Sequence, residues 1–415
     1  MYFRFYATGA FFWKNRNIKT ISKKEIINTG NGGKMVVDLK ESRDKIDKID
    51  RQIAELFEER MKVATDVAAY KRSTGKKVYD PVREEEKLKT LRGLSDNEFN
   101  KTGIEDLFRQ IMSISRKYQY QVLGTENEIK QIFRQVNSFN TDSDTRVVCF
   151  GEHGAYTEQA MEEVFGKDIT AINKNTFKEV METVANGEAK FGVLPIENTS
   201  TGGIADIYDL LLDYDITIVA EHVIKVEQAL VGVPGTKLED IKTVYSHPQG
   251  LMQCSKFFEN HPQISTKTYS STSAAAKKVA EDADKSQAAI SSTRAAGIFG
   301  LDIIKEQVNH ESMNYTRFII ISNQKIFLPD AGKISLSFEI KHQAGALYNM
   351  LSNFYYNGLN LTKIESRPIE NRNWEYRFFV DIEGNLNQPE VGNALASISE
   401  FASKLVVLGN VSTIN

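Results

Sequence analysis

The chain has 415 residues, 41% of them hydrophobic and 26% charged, with a net charge of −3. That is too long for one ordinary domain, and the balance lacks the basic footprint of a nucleic-acid binder. Cys149 and Cys254 are too few for a disulfide framework or a four-thiolate zinc site and point to a reducing, cytoplasmic setting; no run of 18 apolar residues calls for a membrane span.

Residues 1–34 hold seven basic groups against one acid, Glu25, giving +6 there and −9 in the remaining 381 residues. Met1 to Trp13 contains Arg4 and no small-residue cleavage pattern, so a signal peptide is not expected. The segment reads as an extension, disordered or upstream of a start at Met35. A basic targeting or docking arm is the alternative.

From Leu39 the apolar residues Leu39, Ile46, Ile49, Ile53, Leu56, Val63, Val67 and Tyr70 step by threes and fours, the seam of a coiled coil. A helix of about 34 residues, roughly 50 Å long, is expected, and such a rod needs a partner helix to cover its seam. Arg60 occupies a seam position, where a guanidinium requires an anion. Lys71 projects from nearly the same face, and Arg43 points well off it. Asp80-Pro81 reads as a helix start, with Asp80 and Glu84 on one face. A third helix, from Ile104 to about Leu123, carries Ser115 and Gln119 at the same spacing. Cations, a carboxylate and an amide without a nucleophile–base pair suit a small dianion with a polar centre.

Residues 35–124 resemble the all-helical chorismate mutase family, whose charged and polar set falls on Arg43, Arg60, Lys71, Asp80, Glu84, Ser115 and Gln119. The resemblance implies an intertwined dimer in which Arg43 serves the other subunit's site. It also implies rearrangement of chorismate to prephenate by preorganisation alone. Arg43, Arg60 and Lys71 would hold carboxylates, with Ser115 supporting one and Asp80 completing the binding set. Lys71 and Gln119 would face the breaking ether oxygen, and Glu84 the substrate hydroxyl.

Residues 125–145 read as a linker. Beyond them strands and helices alternate, the mark of an α/β architecture: Arg146–Phe150, 157–165, 177–185, 191–194 and 204–212. Two strand–helix junctions, Pro195 to Gly203 and Thr272-Ser273, could leave backbone N–H groups free for an anion. Ser246-His247-Pro248-Gln249 with Gln253 forms a polar patch, and Thr316-Arg317 opens an apolar strand ending at Ser322. No dinucleotide or Walker fingerprint occurs, so neither cofactor nor metal is implied.

These motifs, with Gly192 to Thr199 and Ser271 to Ala276, make residues 146–325 similar to prephenate dehydratases. The resemblance implies two α/β lobes around a cleft, like periplasmic binding proteins, and conversion of prephenate to phenylpyruvate. Thr316 would be the essential group aimed at the leaving hydroxyl. Glu197, Asn198, Ser246 and Gln253 would line the cleft, and Arg317 would meet a substrate carboxylate. Glu197 with a raised pKa is the candidate proton source. Gln228 stands where many relatives carry histidine.

Residues 333–410 read as βαββαβ, a ferredoxin-like α+β sandwich whose strand Lys333–Ile340 alternates as if half-buried. They resemble the ACT regulatory domain. Gly345, Ala346 and Leu347, with Glu365, Ser366, Arg367 and Pro368, match the motifs of its phenylalanine site at a dimer interface. The order of the three regions is that of a bifunctional enzyme of phenylalanine biosynthesis, inhibited by phenylalanine and assembled as a dimer or larger homo-oligomer. The alternatives are a mutase–dehydrogenase fusion, which would need the missing dinucleotide fingerprint, and a non-catalytic aromatic-amino-acid sensor.

Overall fold

The structure is a computed structural model describing residues 24–28, 34–123, 128–310, 313–343, 345–369, 372 and 374–414. It divides into two compact units, residues 1–70 and 71–415. In the first, strands Lys24–Asn28 and Lys34–Asp38 form an antiparallel ribbon leading into helix Leu39–Thr74. The rest of the 1–34 segment, read as extension or arm, lies outside the described residues. Asp38 starts the helix by accepting from the Lys40 N–H at 2.9 Å. The seam side chains from Leu39 to Tyr70 are 40–65% exposed, and within this helix only Ala64 and Ala68 are buried.

In the second unit, helices Pro81–Arg92 and Glu98–Leu123 pack together. The first begins as expected, with Asp80 accepting from the Arg83 N–H at 3.1 Å ahead of Pro81. The second starts at Glu98 rather than Ile104, because the Asn97 side chain accepts from the Asn100 N–H at 3.1 Å and caps an extra turn. The expected linker carries helix Glu128–Ile132 and strand Arg134–Gln135, which pairs with Ile326–Phe327; Phe133 between them is buried in the C-terminal core.

The α/β region has two lobes. The second lobe is a five-stranded sheet ordered Ser265–Thr268, Thr243–Ser246, Gln287–Ser291, Ala229–Gly232 and Asp302–Lys305. The chain enters it after strand Thr217–Lys225 and returns at strand Tyr315–Ser322, so two crossings join the lobes. The first lobe contributes strands Thr217–Lys225, Tyr315–Ser322, Phe191–Asn198, Arg146–Phe150 and Thr170–Lys174, in that spatial order.

The C-terminal region has the βαββαβ order. Its strands run Leu361–Pro368, Tyr376–Glu383, Lys333–Glu339 and Lys404–Ile414, every neighbour antiparallel. Strand Lys404–Ile414 then continues past residue 410, the expected end of the region. It pairs in parallel with Thr217–Lys225 (Ser412 opposite Ala220), so these nine strands, with the short strand Gly202–Gly203 beside Phe191–Asn198 as the tenth, form one sheet that joins both regions. Gly409 permits this: a Cβ there would lie 1.9 Å from the Ile218 carbonyl oxygen. Strand Lys333–Glu339 is therefore buried on both faces, not half-buried. Helices Ala346–Tyr356 and Pro389–Phe401 cover one face around Leu336 and Phe338. On the other, Phe379, Leu408 and Val411 join the core of the first lobe.

Candidate active sites

Within the second unit the helical set is held by local bonds. Lys71 donates to the Val78 carbonyl at 2.6 Å. Burial lowers its pKa; Asp80, Glu400 and Glu84 oppose that, and the net shift is downward. Gln119 donates to Ser115 Oγ at 3.3 Å, leaving its own buried Oε1 without a partner. Helical spacing of four puts these two on one face, as it does Asp80 and Glu84. Glu84 is gripped by Arg116, a residue the sequence reading passed over. The two are 32 positions apart, beyond any local signal. The Arg116 guanidinium also lies over the rings of Tyr79 and Phe401, at 5.1 and 4.9 Å. Glu400 accepts from the Tyr79 N–H at 3.0 Å, so the last turn of helix Pro389–Phe401 rests on this set. Arg43 and Arg60 belong to the first unit.

The cleft site rests on two antiparallel strand ends, where Thr316 stands opposite Asn198 and Arg317 opposite Glu197. Successive side chains on a strand point to opposite faces, so each pair occupies its own face. On the cleft face the Asn198 amide donates to Thr316 Oγ1 and to Asn314 Oδ1, both at 2.9 Å. Asn198 Oδ1 accepts from Ser200 Oγ at 2.6 Å, Gln253 reaches Ser200 Oγ at 3.2 Å, and Gln228 reaches Gln253 Oε1 at 3.3 Å. A neutral chain of amides and hydroxyls thus spans the cleft. Buried Asn314 Nδ2 and Gln228 Oε1 have no partner. Gln228 immediately precedes strand Ala229–Gly232.

Five expectations for this region change. The Glu197 carboxylate meets Lys363 at 2.9 Å and Arg317 at 2.7 Å, on the face away from Thr316. Burial pushes its pKa up, but Lys363 and Arg317 outweigh that and the net shift is downward, so it is not a group with a raised pKa. Arg317 is committed to Glu197, Glu221 and Asp381, the last two at 3.1 and 3.0 Å, rather than open to a substrate carboxylate. Ser246 is completely buried and donates to the Ile290 carbonyl at 2.8 Å instead of lining the cleft. The glycine-rich stretch after Asn198 folds back as a hairpin, Asn198 opposite Gly202, and the second junction is capped by Ser271, not Thr272-Ser273.

Lys333 adds a bond to Glu221, so Arg317, Lys333 and Lys363 balance Glu197, Glu221 and Asp381. Glu221 and Asp381 are its buried members, and removing either costs about 3–5 kcal/mol, because its partner keeps an uncompensated charge.

In the C-terminal region Gly345, at φ +77°, precedes helix Ala346–Tyr356. Ala346 and Leu347 line a hollow of about 140 Å³ with Ile340, Trp374, Tyr376 and Phe378. Glu365, Ser366, Arg367 and Pro368 lie on edge strand Leu361–Pro368 and do not line it; Arg367 pairs with Asp209 at 2.7 Å. The two motifs do not share that hollow within one chain. Both cysteines are free and buried, their thiols pushed up to about 12 by burial. Among the described residues no helix is long and apolar enough to cross a membrane.

Residues 42–120 match the family model of chorismate mutase type II, and residues 147–326 that of prephenate dehydratase. The bifunctional chorismate mutase/prephenate dehydratase of Pseudomonas aeruginosa is 32% identical over 378 residues, 90% of this chain and 97% of that protein. The prephenate dehydratase of Arthrobacter aurescens, solved in complex with L-Phe, is 30% identical with a TM-score of 0.60, covering 65% of this chain and 90% of its own. A structure described as GqqA, a novel type of quorum quenching acylase, also scores 0.60 at 30% identity, covering 65% and 98%. Since both catalytic families meet in one chain that aligns with a bifunctional relative over nine-tenths of its length, the chain belongs to the bifunctional chorismate mutase/prephenate dehydratase family.

Proposed function

We propose that the chain carries chorismate to phenylpyruvate in two steps, with named residues in each. In the first, Arg43, Arg60 and Lys71 take the carboxylates, Ser115 and Asp80 support binding, and Glu84 takes the hydroxyl. Lys71 and Gln119 stabilise charge on the ether oxygen. The unpartnered Gln119 side chain and the lowered Lys71 pKa support this assignment. The exposed seam of helix Leu39–Thr74 supports a homodimer in which Arg43 serves the partner's site. Larger assemblies built on that dimer remain compatible with it.

In the second step, loss of CO₂ pushes electrons through the ring and expels the hydroxyl. Thr316 aids its departure. The observation that carries this reading is the Asn198–Thr316 bond at 2.9 Å: the Thr316 oxygen accepts from Asn198, so its own hydrogen is free to face the leaving oxygen. Asn198 and Gln253 border the same cleft. An acylase reaction does not suit this arrangement, because the side chain bonded to Thr316 is an amide and not a base.

The C-terminal region acts as an ACT sensor of phenylalanine, with Gly345 to Leu347 and Glu365 to Pro368 brought together between two copies of the chain. The setting is cytoplasmic. Incubating the pure full chain with chorismate and no added cofactor tests the reading. Phenylpyruvate absorbance is expected; prephenate alone would leave only the first step, and no turnover would favour a non-catalytic sensor.

A further inference from the structure

Both members of the Asn198–Thr316 pair have an ion-cluster member as their chain neighbour. Glu197 precedes Asn198 and Arg317 follows Thr316, and the two pairs are in register across the strands. The register shifts immediately beyond Arg317, so these two pairs form a short terminal stretch of the ladder, separated by an irregularity from the rest. What steadies that stretch on the far face comes partly from the sensor. Asp381, on strand Tyr376–Glu383, holds Arg317 at 3.0 Å, and Lys363, on strand Leu361–Pro368, holds Glu197 at 2.9 Å. Lys363 lies two residues before Glu365 on the same strand, and Ser335 fixes Asp381 with a 2.6 Å bond.

We propose that Asp381 and Lys363 are positioning residues for the dehydratase step, setting Thr316 against the leaving hydroxyl through Arg317 and Glu197 and so carrying the state of the sensor sheet into the cleft. Neither touches the cleft face; they act through the two side chains they grip. The effector arm of this inference rests on the reading of the C-terminal region as a phenylalanine sensor. The catalytic arm does not.

The test uses the full chain with Asp381→Asn and, as a second variant should the first fold poorly, Lys363→Met. Mutase turnover serves as the check on integrity. Misplacing a reacting group by a fraction of an ångström to an ångström costs rate rather than binding, so dehydratase kcat is expected to fall about ten- to a hundredfold with KM for prephenate held within about twofold. The remaining dehydratase activity should lose its response to phenylalanine. Unchanged kcat in folded variants would overturn the proposal, as would a rise in KM with kcat preserved, which would make Arg317 a substrate ligand. A native chain indifferent to phenylalanine would strike the sensor reading instead, and the split between kcat and KM would still decide the positioning role.

Discussion

The helical set and the cleft set face substrates of the same kind, dicarboxylates, and are built on opposite geometric rules. On a helix, residues four apart share a face, so Asp80 with Glu84 and Ser115 with Gln119 fall together as spacing alone suggests. On a strand, residues one apart are separated by the sheet. Thr316 and Arg317 are adjacent in sequence, yet one serves the cleft and the other the sensor contact. The same division separates Asn198 from Glu197. The helical set includes basic and acidic side chains such as Lys71 and Glu84, whereas the hydrogen-bonded chain around Thr316 is made of amides and hydroxyls.

Four substitutions press on that contrast. The largest effect is expected of Thr316→Val, which removes the hydroxyl while keeping the shape. Prephenate turnover should fall by about 10²–10⁴, with mutase activity intact, and prephenate should accumulate from chorismate. Gln119→Ala should do the reverse: mutase kcat falls about 10²–10³ while prephenate is still consumed normally in a direct assay. Gly409→Ala addresses the joint between the two regions. A Cβ 1.9 Å from the Ile218 oxygen cannot be accommodated without breaking the parallel pairing, so a loss of about 3 kcal/mol or more is expected in denaturant unfolding.

The smallest effect concerns Lys117, which is buried, donates to Ser352 Oγ at 2.7 Å and lies 4.2 Å from the Tyr356 ring centre. Burial and neighbouring Arg116 push its pKa down to about 8. The unfolded chain then binds more protons between that value and the ordinary lysine value of about 10.4, so native stability rises with pH across this window. Lys117→Met should stabilise the chain at neutral pH by about 1 kcal/mol, and thermal unfolding should show the advantage shrinking above pH 8 or so.

Much of this arrangement was legible in the sequence where the signal was local. Asp80-Pro81 announced a helix start, and the three-four steps from Leu39 announced a long rod. Alternation exposed the C-terminal βαββαβ order. What stayed hidden depended on long-range pairing. Arg116 and Glu84 meet across 32 positions. Gly409 carries no local sign of its role, which is to allow the close approach of another strand's backbone. Packing against the first lobe buries Ser335 and Ser337, and Arg372 and Arg377 cover Glu339, three positions that alternation alone assigned to solvent. Glu197 and Arg317 were misassigned for a different reason. They stand beside Asn198 and Thr316 in sequence, but only the register of two strands reveals which side chains share a face.

The division between the faces is tested most directly by the pH dependence of dehydratase kcat in the native chain and in Glu197→Gln. A carboxylate with a lowered pKa is ionised near neutrality and has no proton to give. The pH profile of Glu197→Gln, whatever its height, should therefore keep the limbs of the native profile from about pH 6 to about pH 9. A native profile that falls as pH rises through a single ionisation, with that limb absent from Glu197→Gln, would make Glu197 the acid and contradict the assignment of charge to the far face.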